Sequence, residues 1–140
     1  MAEKVEVDIR IPNQTKFLGL IGRIGEDLVH SLGRYTGDRE VLAYHLNLVL
    51  TEAITNAICH ANKNDPDKQI QVQIFATDKS LNIKVYDEGK GFDLAKLVIC
   101  NAGDSDECGR GLHIIHRLMD QVDYRKSGNR NVLEMIKKLS

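Results

Sequence analysis

Apolar and polar residues alternate strictly near the start of the chain, with Val5, Val7, Ile9 and Ile11 set between Glu6, Asp8 and Arg10. A period of two ending at a proline, Pro12, predicts a strand with one buried face. From Thr15 or Lys16 the period changes, and Phe17, Leu18, Leu20, Ile21, Ile24, Leu28 and Leu32 predict an amphipathic helix that stops near Gly33. Gly19, Gly22 and Gly25 lie inside that helix, each costing about 1 kcal/mol against alanine. They point either to close backbone packing against another element or to a helix that is simply weak, and the pattern leaves both open. Asp38 is placed to cap the next helix, which runs through Val41 and Leu42 into the stretch Leu46–Ala61 and ends by Asn62. Leu46, Val49, Leu50, Ala53, Ile54, Ala57, Ile58 and Ala61 form one wide apolar sector of it.

Two short alternating runs follow the exit at Asn64, Asp65 and Pro66: Ile70, Val72, Ile74, then Leu81, Ile83, Val85, with a Thr77–Ser80 turn between them. This reads as an antiparallel hairpin. The second strand runs into Asp87-Glu88-Gly89-Lys90-Gly91. Residues Phe92 to Cys108 then read as a long loop with one helical turn around Asp93 to Leu97, a length that in compact domains is usually functional or disordered. Gly109-Arg110-Gly111 closes the loop, and Leu112, Ile115, Leu118 and Met119 start a third helix. Val122 with Tyr124, and Val132 through Ile136, are the last two strands, joined by a turn at Ser127, Gly128 and Asn129. The order predicts an α+β two-layer sandwich: a mixed, mostly antiparallel sheet with one face covered by three helices and the other partly wet or used in an interface.

Composition narrows the partners. With 140 residues and 42% hydrophobic content, the chain suits one domain over residues 1–140. Nineteen basic and twenty acidic residues leave a net charge of −1, so no bulk field draws in nucleic acid or an anionic membrane. The opening MAEKVEVDIR has no apolar signal region, and no apolar run is read as a membrane span. Cys59, Cys100 and Cys108 make an odd count without disulfide-rich spacing, in keeping with a reducing, cytoplasmic setting.

Glu52, Asn56 and His60 run up one border of the apolar sector, four residues apart. A helix border holds a polar side chain by packing while it faces a cavity, which suits an acid/base or metal-binding pair. The plain alternative is a half-exposed neighbouring pair worth roughly 0.2–0.5 kcal/mol. Gly89 and Gly91 after a strand ending in Asp87 allow a sharp turn and let a planar ligand approach the carboxylate, which can accept from an exocyclic amine. Gly109 and Gly111 opening a helix offer free N–H groups at its positive end, and Arg110 adds a cation, a ready phosphate site. Either glycine pair taken singly is equally an ordinary turn. Together with Glu52 and Asn56 they describe a pocket with a holder each for base, phosphates and metal.

These segments carry a family resemblance. EAITNAICHA, YDEGKGFD and GRGLHIIHRLMDQVDYR, in that order, resemble the GHKL (Bergerat-fold) ATPases, and within them the small anti-sigma-factor serine kinases of bacteria. The resemblance implies that Asn56 coordinates Mg²⁺ bridging the phosphates of ATP and that Asp87 binds the adenine amine. It makes the loop from Phe92 to Cys108 the ATP lid. Gly89 and Gly91 would shape the base pocket, and Gly109, Arg110, Gly111 and Leu112 would hold the phosphate end. Glu52 would be the general base toward a serine of a partner protein. It also implies a homodimer that captures a sigma factor and phosphorylates an antagonist protein. His60 is read as a packed structural histidine and Lys90 as a solvated lysine. Family members commonly carry a glycine-threonine pair before the last strand; this chain has Gly128-Asn129-Arg130-Asn131, a departure expected to bear on phosphate handling.

Three other readings stand beside this one. Cys100, Cys108, His113 and His116 gather in one segment, but their spacing departs from that of usual zinc sites. A nucleotide-gated binding protein without phosphotransfer needs nearly the same residues, and Glu52 is what favours the kinase. The ATP-binding half of a sensor histidine kinase would come with a dimerising helix pair bearing a phosphoacceptor histidine, which this sequence lacks.

Overall fold

In a computed structural model, the structure describes residues 4–33, 35–89 and 110–139. Strand β1 (Lys4–Pro12) leads through a 3₁₀ turn (Thr15–Phe17) into helix α1 (Leu18–Ser31), then helix α2 (Arg39–Asn56), which continues as a π-helical turn (Ala57–Ala61). Strands β2 (Gln69–Thr77) and β3 (Ser80–Asp87) follow, then helix α3 (Arg110–Leu118) and strands β4 (Gln121–Ser127) and β5 (Arg130–Lys138). The sheet order is β1-β2-β3-β5-β4. All four pairings are antiparallel, so the mixed component of the expected sheet does not occur among the described residues.

Alternation along the strands fixes which face is buried. Ile70, Val72, Ile74 and Ala76 of β2, Leu81, Ile83 and Val85 of β3, and Leu133 and Met135 of β5 join one core with Ile21, Leu28, Leu46, Leu50, Ile54 and Ile115 from the three helices. Each fully buried aliphatic side chain contributes roughly 1.5–3 kcal/mol before entropy is counted. The opposite face carries a hydrogen-bonded polar lattice. Asp8 accepts from Gln71 and Gln73 (2.9 and 3.1 Å), Arg130 donates to Gln71 (2.6 Å) and lies over the Tyr86 ring, and Glu134 accepts from Asn82 and Arg125 (both 2.9 Å).

Helix α2 is the axis of the helical layer, in contact with both α1 and α3. Asp38 caps it, accepting from the Val41 N–H at 3.2 Å. Arg39–Cys59 is long and apolar enough to cross a membrane by length and composition, contrary to the sequence reading, but 56% of that window is buried inside the protein. It is the core helix of this sheet. Two of the three α1 glycines explain themselves: a Cβ at Gly22 would meet Asn47 Oδ1 at 2.6 Å and one at Gly25 would meet Leu50 at 2.6 Å, whereas Gly19 faces open space. The close-packing alternative therefore holds for the first two.

Beyond Asn56 the helix widens. The Asn62 N–H donates to Ala57 O at 2.8 Å and the Asn64 N–H to Ile58 O at 2.8 Å, five and six residues back, before positive φ at Lys63 and Asn64 ends the helix. Buried Asn62 then ties three elements together: its amide donates to Asn13 Oδ1 (3.0 Å) and Gln69 O (3.5 Å), and its carbonyl accepts from the Glu88 N–H (3.0 Å).

Candidate functional site

The site is built where the widened end of α2 meets the end of β3. Glu52 and Asn56 lie one turn apart on α2, Glu52 half-buried and Asn56 only 8% exposed. Asn56 Nδ2 is buried and finds no hydrogen-bond partner among the described residues. Such a group costs about 1–3 kcal/mol when left unmatched, so a ligand that matches it gains that amount back. Rotating the amide by 180° exchanges its nitrogen and oxygen, so Asn56 can donate to a phosphate oxygen or offer an oxygen to a hard cation such as Mg²⁺.

Asp87 ends β3 facing the helical layer, 1% exposed. Its Oδ1 accepts from the Gly89 N–H (3.1 Å) and from Asn131 Nδ2 (2.8 Å), and its Oδ2 accepts from the Tyr124 hydroxyl (2.8 Å). Asn131 also donates to Gly89 O at 3.0 Å. Within the departure at the last strand, Asn131 stands directly opposite Asp87 in the β3–β5 register, so its contact is with the expected base holder. The sequence marks Asn131 only as part of the departure before the last strand and gives no signal for Tyr124.

A Cβ at Gly89 would overlap the carbonyl group of Ala61 and approach Asn62 N, so the π-helical turn itself requires the missing side chain. That contact brings the end of β3 against the end of α2 and places Asp87 and Asn56 at the same end of the layer. Helix α3 opens at Arg110, as the Gly109-Arg110-Gly111 segment predicts. Leu118 and Met119 lie beside Leu42, Leu46 and Leu81, the end of the sheet away from Asp87, and from there back to Arg110 the helix rises about 12 Å. Lys90, Gly91, the loop Phe92–Cys108 with its helical turn, and Gly109 lie outside the described residues, as do the side chains of His60, Arg110 and Leu112. Cys100 and Cys108 of the zinc reading lie there too; among the described residues no three His, Cys, Asp or Glu side chains converge on one point.

Comparison with solved structures and curated proteins bears on the fold and the family. The fold matches the histidine kinase domain of a blue-light activated histidine kinase from Erythrobacter litoralis, with TM-score 0.54 at 18% identity over 92% of this chain and 62% of that one. The larger structure of that kinase gives TM-score 0.55 at 19% identity, and this chain spans 42% of it. Among curated proteins, serine-protein kinase RsbW of Bacillus subtilis is 28% identical over 124 residues, 83% of this chain and 75% of the relative. The anti-sigma F factor of Anoxybacillus flavithermus is 27% identical over 100 residues, 68% of each chain. Serine-protein kinase RsbW of Listeria monocytogenes is 27% identical over 125 residues, covering 84% and 77%. A profile of the histidine kinase-like ATPase domain matches residues 26–137, most of the length, and the chain therefore belongs to that family of ATP-using domains.

Proposed function

We propose that this chain is an ATP-dependent serine protein kinase acting as an anti-sigma-type regulator, one that phosphorylates a serine of an antagonist protein and sequesters a sigma factor. The observation that carries the reading is the pair on α2, a half-buried carboxylate at Glu52 and, one turn on, the buried Asn56 Nδ2, unmatched among the described residues. Relatives named serine-protein kinase and anti-sigma F factor support the same reading. In this proposal the chain is one ATP-binding domain that works in the cytoplasm as a homodimer, without contacting nucleic acid or membrane.

Each residue then has one task. Asp87 accepts a hydrogen bond from the adenine amine. Asn56 would hold Mg²⁺ and phosphate oxygens with its amide, and Gly109, Arg110, Gly111 and Leu112, around the start of α3 at Arg110, would offer N–H groups to phosphate. Glu52 takes the proton from the attacking serine hydroxyl. When bound, ATP would supply the phosphoryl group and Mg²⁺ the positive charge that offsets the charge developing during transfer.

Calorimetric titration with Mg-ATP, paired with phosphate transfer to the partner serine, tests these assignments. Asp87→Asn is expected to abolish binding and Asn56→Ala to weaken its Mg²⁺-dependent part. Glu52→Ala is expected to keep binding while transfer falls by about 10²–10⁴-fold. Wild-type transfer by Glu52→Ala would overturn the site, and a wild-type protein that binds ATP and partner without transfer would replace the kinase by a nucleotide-gated binding switch.

A further inference from the structure

Among the described residues, the carboxylate of Asp87 is held from three places: its own turn through Gly89, β5 through Asn131 and β4 through Tyr124. A carboxylate offers about four acceptor positions. The donors among the described residues take two on Oδ1 and one on Oδ2, which leaves a single position beside the Tyr124 hydroxyl. The proposed function assigns phosphate and proton transfer to other residues and leaves the contacts of Tyr124 and Asn131 with Asp87 to be explained. We infer that they are positioning residues that present Asp87 as a pure acceptor and set the pocket's preference for purines bearing a 6-amino group over purines without one. This inference rests on the adenine role proposed for Asp87.

The chemistry of the clamp suits that task. All three partners donate, so the carboxylate meets its ligand only as an acceptor. A 6-amino group supplies the matching donor, a 6-oxo group sets oxygen against oxygen, and an unsubstituted purine supplies nothing. The clamp is also neutral: a phenol, an amide and a backbone N–H orient the charge without cancelling it, as an arginine or lysine would. Asn131 spends its second hydrogen on Gly89 O, so the carboxylate and the turn beneath it move as one piece.

The test compares ATP with purine riboside triphosphate, which lacks only the 6-amino group, by calorimetric binding to the wild-type chain, to Tyr124→Phe and to Asn131→Ala, with circular dichroism to verify folding. The wild-type chain is expected to prefer ATP. Tyr124→Phe should lower affinity for ATP roughly five- to tenfold and leave that for purine riboside triphosphate within about twofold, so that the preference shrinks. Asn131→Ala should do the same from the other oxygen, and it carries the test alone if Tyr124→Phe does not fold. Equal losses for both nucleotides, or an unchanged preference, would make the two residues merely structural and overturn the inference. A wild-type chain that binds both nucleotides equally would remove the adenine role of Asp87 itself, so the wild-type measurement separates the two failures.

Discussion

A methyl group at position 89 would run into the Ala61 carbonyl, and because both partners are backbone, neither can swing aside. Gly89→Ala is therefore expected to cost about 1–3 kcal/mol in urea unfolding, and to weaken ATP binding as well, because the turn it distorts also carries the N–H that holds Asp87. The contrast with Asp87 shows what single residues disclose in advance. A carboxylate between a strand end and two glycines is conspicuous in the sequence, as are Glu52 and Asn56 on a helix border. Tyr124 and Asn131 are not, because they reach Asp87 across 37 and 44 positions and nothing local distinguishes a clamping tyrosine from a packed one. Asn62 is hidden for the same reason: its partners Asn13 and Glu88 lie 49 and 26 positions away.

Among the elements, α1 shows how one residue type has two energetic meanings. Asn47, which faces Gly22, is itself held by Glu26 (3.0 Å) and Thr51 (3.2 Å), so it yields only by breaking those bonds. Gly22→Ala should therefore destabilise by about 1–2 kcal/mol despite its better helix propensity, while Gly19→Ala, with open space before it, should stabilise by about 0.5 kcal/mol. Thermal unfolding of the two variants side by side reads the difference in sign. Strands and helices were legible because each shows its period for at least two turns or three alternations. Their ends were less so: β2 extends from Gln69 to Thr77, past the apolar run Ile70–Ile74, because the small side chain of Ala76 continues the buried alternation and the ladder with β1 runs on to Thr77. The π-helical turn left no trace at all, since a shift in hydrogen-bond partner needs no change in residue type.

Over the molecule as a whole, the sheet separates two chemistries: a dry face that carries the helices and the site, and a wet face bound by ion pairs and amides. Glu134 belongs to the wet face. The Asn82 amide, with the Arg125 guanidinium adding to it, holds its carboxyl below the ordinary value of 4.5. A carboxyl lowered on folding stabilises the protein above its unfolded value, and that contribution is lost as pH falls through the lower, folded one. Glu134→Gln should accordingly unfold more easily than wild type at pH 7, with the difference shrinking as the pH is lowered through the folded value of Glu134, as chemical denaturation over an acid series would show. The helical layer answers to a different constraint, the count of residues. The chain between Asn56 and Asn62 is wound more loosely than an α-helix, and the surplus is what turns the Asn62 amide toward Asn13 and Glu88. Deleting one residue from Ala57–Ala61 would leave the segment just as apolar and just as helical, yet rotate all that follows by about 100°. In evolutionary terms this is a stretch open to exchanges among small and aliphatic side chains and closed to single-residue insertions and deletions.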